Sequence, residues 1–281
     1  MATPNNIQYS TNPVEAVAAE AELRIFRSEN SEYAPDANRQ IIIPLNCSDK
    51  SFIDFSDSVL SLKFTNRSAD SSTVAEATCN VSLANLIQDL TIIGPQGNEV
   101  EVIRDYNVLN KVLEDFSYGT VHAKSIENVL NGASTTGIES GQASVLGSQS
   151  TGSSLVTGAG SITLVDKLVC ATLSNRYLVP CGWLVGQAMR ISIRLADAAT
   201  ALFFGTAPTV AGYKVEDVQF RAKEIKFNSQ FLAMFEQTLA EAGPDGLSYI
   251  GETFLHAQNN IPVGSYGYSK LQFSLNPISS K

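Results

Sequence analysis

Charge is scarce in this chain. Only 17% of its 281 residues are Asp, Glu, Lys or Arg, and 28 acidic against 19 basic side chains leave a formal net charge of −9. No run of Lys or Arg forms a basic patch, which argues against nucleic acid or an anionic lipid surface as a direct partner. Long apolar runs are also missing: no stretch of 18 residues is apolar enough to cross a bilayer as a helix. The first residues, MATPNNIQYS, are polar and lack a signal-peptide pattern, so export by a cleaved signal is not expected. Cysteine is limited to Cys47, Cys79, Cys170 and Cys181, with no C-x-x-C and no metal-ligand spacing to histidine. Free, buried thiols are therefore expected in preference to disulfides. The sequons at Asn46, Asn66 and Asn80 then read as coincidence in an Asn- and Ser-rich chain.

Residues with the means for chemistry are equally sparse. His122 and His256 each stand alone, without a Cys, His, Asp or Glu at ligand spacing, so each reads as a structural or surface histidine. There is no G-x-S-x-G, Walker loop or G-x-G-x-x-G, and Gly158-Ala159-Gly160 does not open a helix. Two acidic pairs invite an acid–base reading, Asp54 with Asp57 and Glu99 with Glu101. Strand periodicity puts both glutamates on one solvated face, and no apolar pocket is suggested for either pair. Trp183, Tyr177 and Phe203-Phe204 have the chemistry of a glycan platform, but core or interface packing is the commoner use of such residues. No catalytic, cofactor-binding or metal-binding residue is assigned, and no cofactor is expected.

What the chain has in quantity is short, regular strand patterning. Leu86 to Ile93 is a β-rich run, Gly94 to Asn98 is a turn, and Val100 and Val102 alternate with Glu99 and Glu101. Val102, Tyr106, Leu109, Leu113 and Phe116 then recur at helical spacing, with Gly119 placed to end the helix. Further strands are expected at Gln40 to Leu45, Phe52 to Phe55, Leu60 to Phe64, Ile162 to Leu173, Tyr177 to Val185 and Met189 to Leu195. Tyr213 to Phe227 changes parity, which predicts a β-bulge near Lys223. A second helical stripe, Phe231, Met234, Phe235 and Leu239, stops at Gly243, and strand-like runs follow at Leu247 to Leu255 and Tyr268 to Leu275. The recurrence of strand, turn, strand and helix about 125 residues apart suggests an internal duplication. Ahead of all this, Val14, Val17, Ala18, Ala21 and Ile25 fit one face of a short helix with nearly cancelling charges. Residues 132–161 are rich in Gly and Ser, as a surface loop or linker would be.

The order RQIIIPLN, FIDFSDSVLSLKFTN, LIQDLTIIGPQGNEVEVIRDYNVLNKVLEDF, then YLVPCGWLVGQAMRISIRL and YKVEDVQFRAKEIKF, resembles jelly-roll major capsid proteins of icosahedral viruses. It is most similar to the double jelly-roll lineage of lipid-containing bacteriophages and adenoviruses. The resemblance covers residues 39–257 and lies in element order, not in an invariant motif.

It implies an all-β double jelly roll with one short helix per roll, and a single elaborated roll remains the alternative. The divisions expected are an arm at 1–38, a first roll at 39–150 and a second at 151–281. The function implied is that of a non-enzymatic coat subunit located in the virion and assembled in host cytoplasm or nucleus. Its partners would be its own copies as homotrimers and neighbouring capsomers, other virion proteins and an internal membrane layer. The competing reading is a carbohydrate-binding or hydrolytic β-sandwich, because fold alone does not decide function.

Overall fold

The computed structural model describes residues 19–67, 79–117, 145–146, 161–174, 177–184, 186–204, 212–243 and 253–254. Within them the chain order is β1 (Ala19–Arg27), β2 (Glu32–Tyr33), β3 (Gln40–Pro44), β4 (Phe52–Asn66), β5 (Cys79–Asn80), α1 (Leu83–Leu86), β6 (Ile87–Ile93), β7 (Glu99–Ile103) and α2 (Tyr106–Ser117). It continues with β8 (Val145–Leu146), β9 (Ser161–Asp166), β10 (Arg190–Leu195), α3 (Ala198–Ala201), β11 (Phe203–Phe204), β12 (Tyr213–Phe227) and α4 (Ser229–Ala242).

Eight of these strands, with the two-residue β2 as a ninth, form two antiparallel sheets that face each other. The first runs β1-β12-β4-β9, with β2 beside β12, and the second runs β3-β10-β6-β7. Taking the eight in chain order, the sheets read 1-8-3-6 and 2-7-4-5. That is one jelly roll, the all-β sandwich built from two Greek keys. Ile41, Ile43, Leu90, Ile92, Ile191 and Ile193 point inward from the second sheet and meet Leu60, Leu62, Phe64, Val215 and Phe220 from the first. Burial of this core, at about 25 cal/mol per Å² of apolar surface, is what holds the sheets together.

The jelly-roll class agrees with the sequence. A boundary at residue 150 would separate strands that are hydrogen-bonded neighbours: β9 and β12 flank β4, and β10 lies between β3 and β6. The described strands make one roll. No duplication supports two, because residues 87–103 are a hairpin whereas Tyr213–Phe227 is one continuous strand.

The supposed arm also belongs to the roll. Ala19–Arg27 pairs along its whole length with Phe227–Gln219. Helical and strand spacings both suit this stretch locally, and the open edge of β12 decides for the strand. Val14 and Val17 lie outside the described residues, as do His122, His256, Gly158 to Gly160, the 247–252 portion of the first tail run and all of the 268–275 run.

Two other expectations changed in detail. Residues 52–66 form one strand instead of two, and the described part of the expected 177–185 strand, residues 177–184, is not one: Val179 bridges to Ile53, and Cys181–Trp183 is a 3-10 turn. Pro180 lacks a ladder donor, which suits this irregular path. The bulge in β12 was read correctly near Lys223, where pairing with β4 shifts between Arg221 and Lys223. A second shift at Asp217, whose φ is +49°, turns the inward parity from Tyr213 and Val215 to Val218, Phe220 and Ala222.

Candidate functional site

The connections leave the sandwich at two ends, and the ends are built differently. The connections that follow β1, β4, β7 and β10 start at one end, where a three-stranded sheet, β11-β5-β8, joins described stretches of three of them. There Tyr213 Oη donates to Ala196 O at 2.5 Å, and burial pushes the phenol pKa up. Residues 45–51, 94–98 and 167–189, followed by α4, gather at the opposite end. That end is pinned by two buried glutamates.

Glu224 is 1% exposed. Its carboxylate accepts from Ser48 N at 2.6 Å, Ser51 Oγ at 2.6 Å and Arg24 Nη1 at 2.8 Å. Burial alone would raise its pKa. The hydrogen bonds from Ser51 and Ser48 and the Arg24 charge outweigh that and hold it below the ordinary carboxylate value. Glu101 has the same role one layer away. It accepts from Ala171 N at 2.8 Å, Thr172 N and Oγ1 at 3.0 Å each, and Thr253 Oγ1 at 2.8 Å. The expectation that Glu99 and Glu101 share a solvated face is therefore corrected. Glu99 is exposed, but Glu101 and Ile103 face inward and Val100 faces out. The loop at 171–172 needs an acceptor for its backbone N–H groups, and Glu101 supplies it where Val would not.

The loops held this way also touch each other. Gly182 N donates to Ser51 O at 2.9 Å, Gln187 N to Pro95 O at 3.0 Å and Leu45 N to Met189 O at 2.8 Å. A Cβ on Gly182 would stand 2.3 Å from Ser51 N and 2.6 Å from Ser48 O, so only glycine permits this approach. Cys181 lies in the same junction. A hydrogen bond with the Cys47 thiol, together with burial, pushes its pKa up. Cys47, Cys170 and Cys181 are free thiols, the first half-buried and the other two buried.

α4 closes this end over the outer face of the first sheet. Asn228 caps it by accepting from Phe231 N at 2.9 Å, and Gly243, at φ +64°, ends it. Phe231 and Phe235 face a cluster with Phe52, Phe227 and Trp183. Phe52 lies 4.8 Å from Trp183 and 5.0 Å from Phe235, ring centre to ring centre. Met234, expected in the same buried stripe, is 62% exposed. Trp183 is thus packing material in this cluster, whereas Tyr177 is exposed. Phe203 and Phe204 lie on β11, which pairs with β5.

Asp54 and Asp57 do not form an acid–base pair. Asp54 accepts from Ser56 N and Oγ, while Asp57 pairs with Lys223 Nζ at 2.7 Å, which lowers its pKa. Among the described residues, no group of three His, Cys, Asp or Glu is arranged to hold a metal ion. The sequence missed Glu224 as an anchor, although its parity matches Val218, Phe220 and Ala222.

No protein-family model matches the chain, and no curated protein does. Among solved structures, a chain of the Sputnik virophage, determined by cryo-EM, is similar at a TM-score of 0.49 and 7% identity, covering 82% of this chain and 53% of that one. The Faustovirus major capsid protein is similar at a TM-score of 0.42 and 10% identity, covering 79% of this chain and 56% of that one. Both neighbours are viral. The chain spans about half the length of these solved chains.

The remaining feature of note is an edge. β1 ends the first sheet, and its outer face carries Leu23, 63% exposed, and Ile25, 46% exposed. On its inner face Phe26 is buried and Arg24 reaches Glu224.

Proposed function

We propose that this chain is a coat subunit of an icosahedral virus, a structural protein that assembles with its own copies and with other components of the virion. The observation that carries the reading is the strand order, 1-8-3-6 over 2-7-4-5, of an eight-stranded jelly roll. Jelly rolls also serve as lectins and as small-molecule binders, so the interior and the surface must be weighed. Here the described residues between the sheets are packed Ile, Leu, Phe and Val side chains. Of the aromatic residues that a sugar platform would use, Trp183 is turned into the Phe52 and Phe235 rings beneath α4. What remains on offer is sheet edge, loop and helix surface, the material of subunit contacts.

Within this reading the chain has no catalytic duty, its capsomer is a closed homotrimer, and a membrane layer inside the shell is compatible with it. The test is assembly. Purified protein should give trimers by light scattering and closed particles of uniform size by negative-stain microscopy. A folded protein that stays monomeric at high concentration, and is retained by immobilised glycans, would overturn the proposal in favour of a binding module.

A further inference from the structure

We infer that β1 is a self-complementary contact strand, joining two copies of this chain edge to edge across a two-fold axis that passes through Leu23. β1 is nine residues long, is paired on one side by β12 without a register break, and has no strand on its other side among the described residues. Proteins that must keep such an edge unpaired place Pro, bulges or repeated charge along it. β1 has neither Pro nor bulge, and its two glutamates and two arginines cancel within a chain whose net charge is −9. Leu23 and Ile25 meanwhile keep an apolar face in water.

The charge pattern selects one register. Pairing two antiparallel copies face to face requires residues of like parity opposite each other. With Leu23 opposite Leu23, Glu22 meets Arg24 on both sides of the axis, Ala21 meets Ile25 and Glu20 meets Phe26. Sliding by one step of the pleat in one direction sets Glu22 against Glu22, and in the other Arg24 against Arg24. Directly opposed like charges are destabilising, so both slips are disfavoured.

A second observation points the same way. Within one copy Glu22 lies directly across from Glu224, a like-charged neighbour, while that copy's Arg24 is committed to Glu224 through Nη1. A guanidinium has five N–H donors, so Arg24 of a second copy can serve its own Glu224 and still reach the unmatched Glu22. The contact is isologous, as two-fold interfaces are.

The experiment is register-resolved cross-linking of the full chain with a short bismaleimide, against wild type treated alike. Leu23→Cys should give a cross-linked dimer alone. Ala21→Cys and Ile25→Cys should give none singly, because each residue lies four positions from its own copy, and a dimer when mixed. All three positions are exposed or outward-facing, so each variant should retain the wild-type melting temperature. Absence of a Leu23→Cys dimer, or equal yields from all three single variants, overturns the inference. Particle formation is scored separately by microscopy. Particles without the 23–23 cross-link remove this contact and leave the coat reading intact, whereas the cross-link without particles does the reverse.

Discussion

Glu224 is a charged residue in a place where Leu would ordinarily stand, and its stability contribution has a definite pH dependence. Its folded-state pKa lies below the ordinary value of 4.5, so the stabilisation is present above that pH and is lost as pH falls through the folded value. Wild type should therefore lose melting temperature steeply below about pH 4.5, and Glu224→Gln should start lower and fall less. At neutral pH that substitution should cost about 2–3 kcal/mol, the worth of hydrogen bonds to a buried charge, measured by urea unfolding. Gly182→Ala tests the same junction from the other loop. Its new methyl has to displace the backbone at 48–51, which should cost about 1–3 kcal/mol as overpacking does. Both residues expose what was hard to read at this scale. Periodicity assigns faces by hydrophobicity, so a glutamate recruited to satisfy a loop's N–H groups is placed on the solvent side. Val100, half-exposed on an edge strand, is placed in the core for the same reason.

At the scale of elements, α4 was legible and its partner was not. Phe231 and Phe235 at helical spacing predict a packed face, but the sequence gives no sign that Phe52 and Trp183, far away in the chain, complete the cluster. Phe235→Ala should cost about 2–3 kcal/mol, less than a fully buried Phe because one side of the ring stays half-open. Lys50 and Glu236, paired at 2.7 Å on the surface, should contribute little by comparison. β1 was misread as a helix because the segment satisfies both periods, and only a strand edge elsewhere in the chain settles which is used. Deleting residues 1–36 consequently removes an integral strand. The truncated protein should melt well below wild type by circular dichroism, and an unchanged melting temperature would mean that β12 tolerates an open edge.

For the molecule as a whole, the order of short strands made the all-β sandwich and the jelly-roll class readable, whereas the pairing of the described strands was not. Strand patterns show how many strands exist but not which of them pair, and pairing over more than 150 residues leaves no local trace. The interleaving has a direct test. Residues 1–150 and 151–281 expressed separately should each lack cooperative unfolding, because neither fragment can complete a sheet. Their co-expression should restore a single transition if the pieces find each other. Two independently melting fragments would contradict one shared core.

The central place of β12 in its sheet bears on how the chain is made. β1 and β4 flank it, yet β12 begins 186 positions after β1 ends. At about 5–20 residues per second of synthesis, roughly 10–40 s pass between the appearance of β1 at the ribosome and that of the strand it pairs with. Through that interval β1 and the facing side of β4 are unmatched strands, and β3 and β6 likewise wait for β10. A nascent chain of this design keeps unpaired strand edges exposed until β12 enters the gap between β1 and β4. Its expression should then be limited by the speed of translation through residues 160–227 more than by the stability of the finished fold.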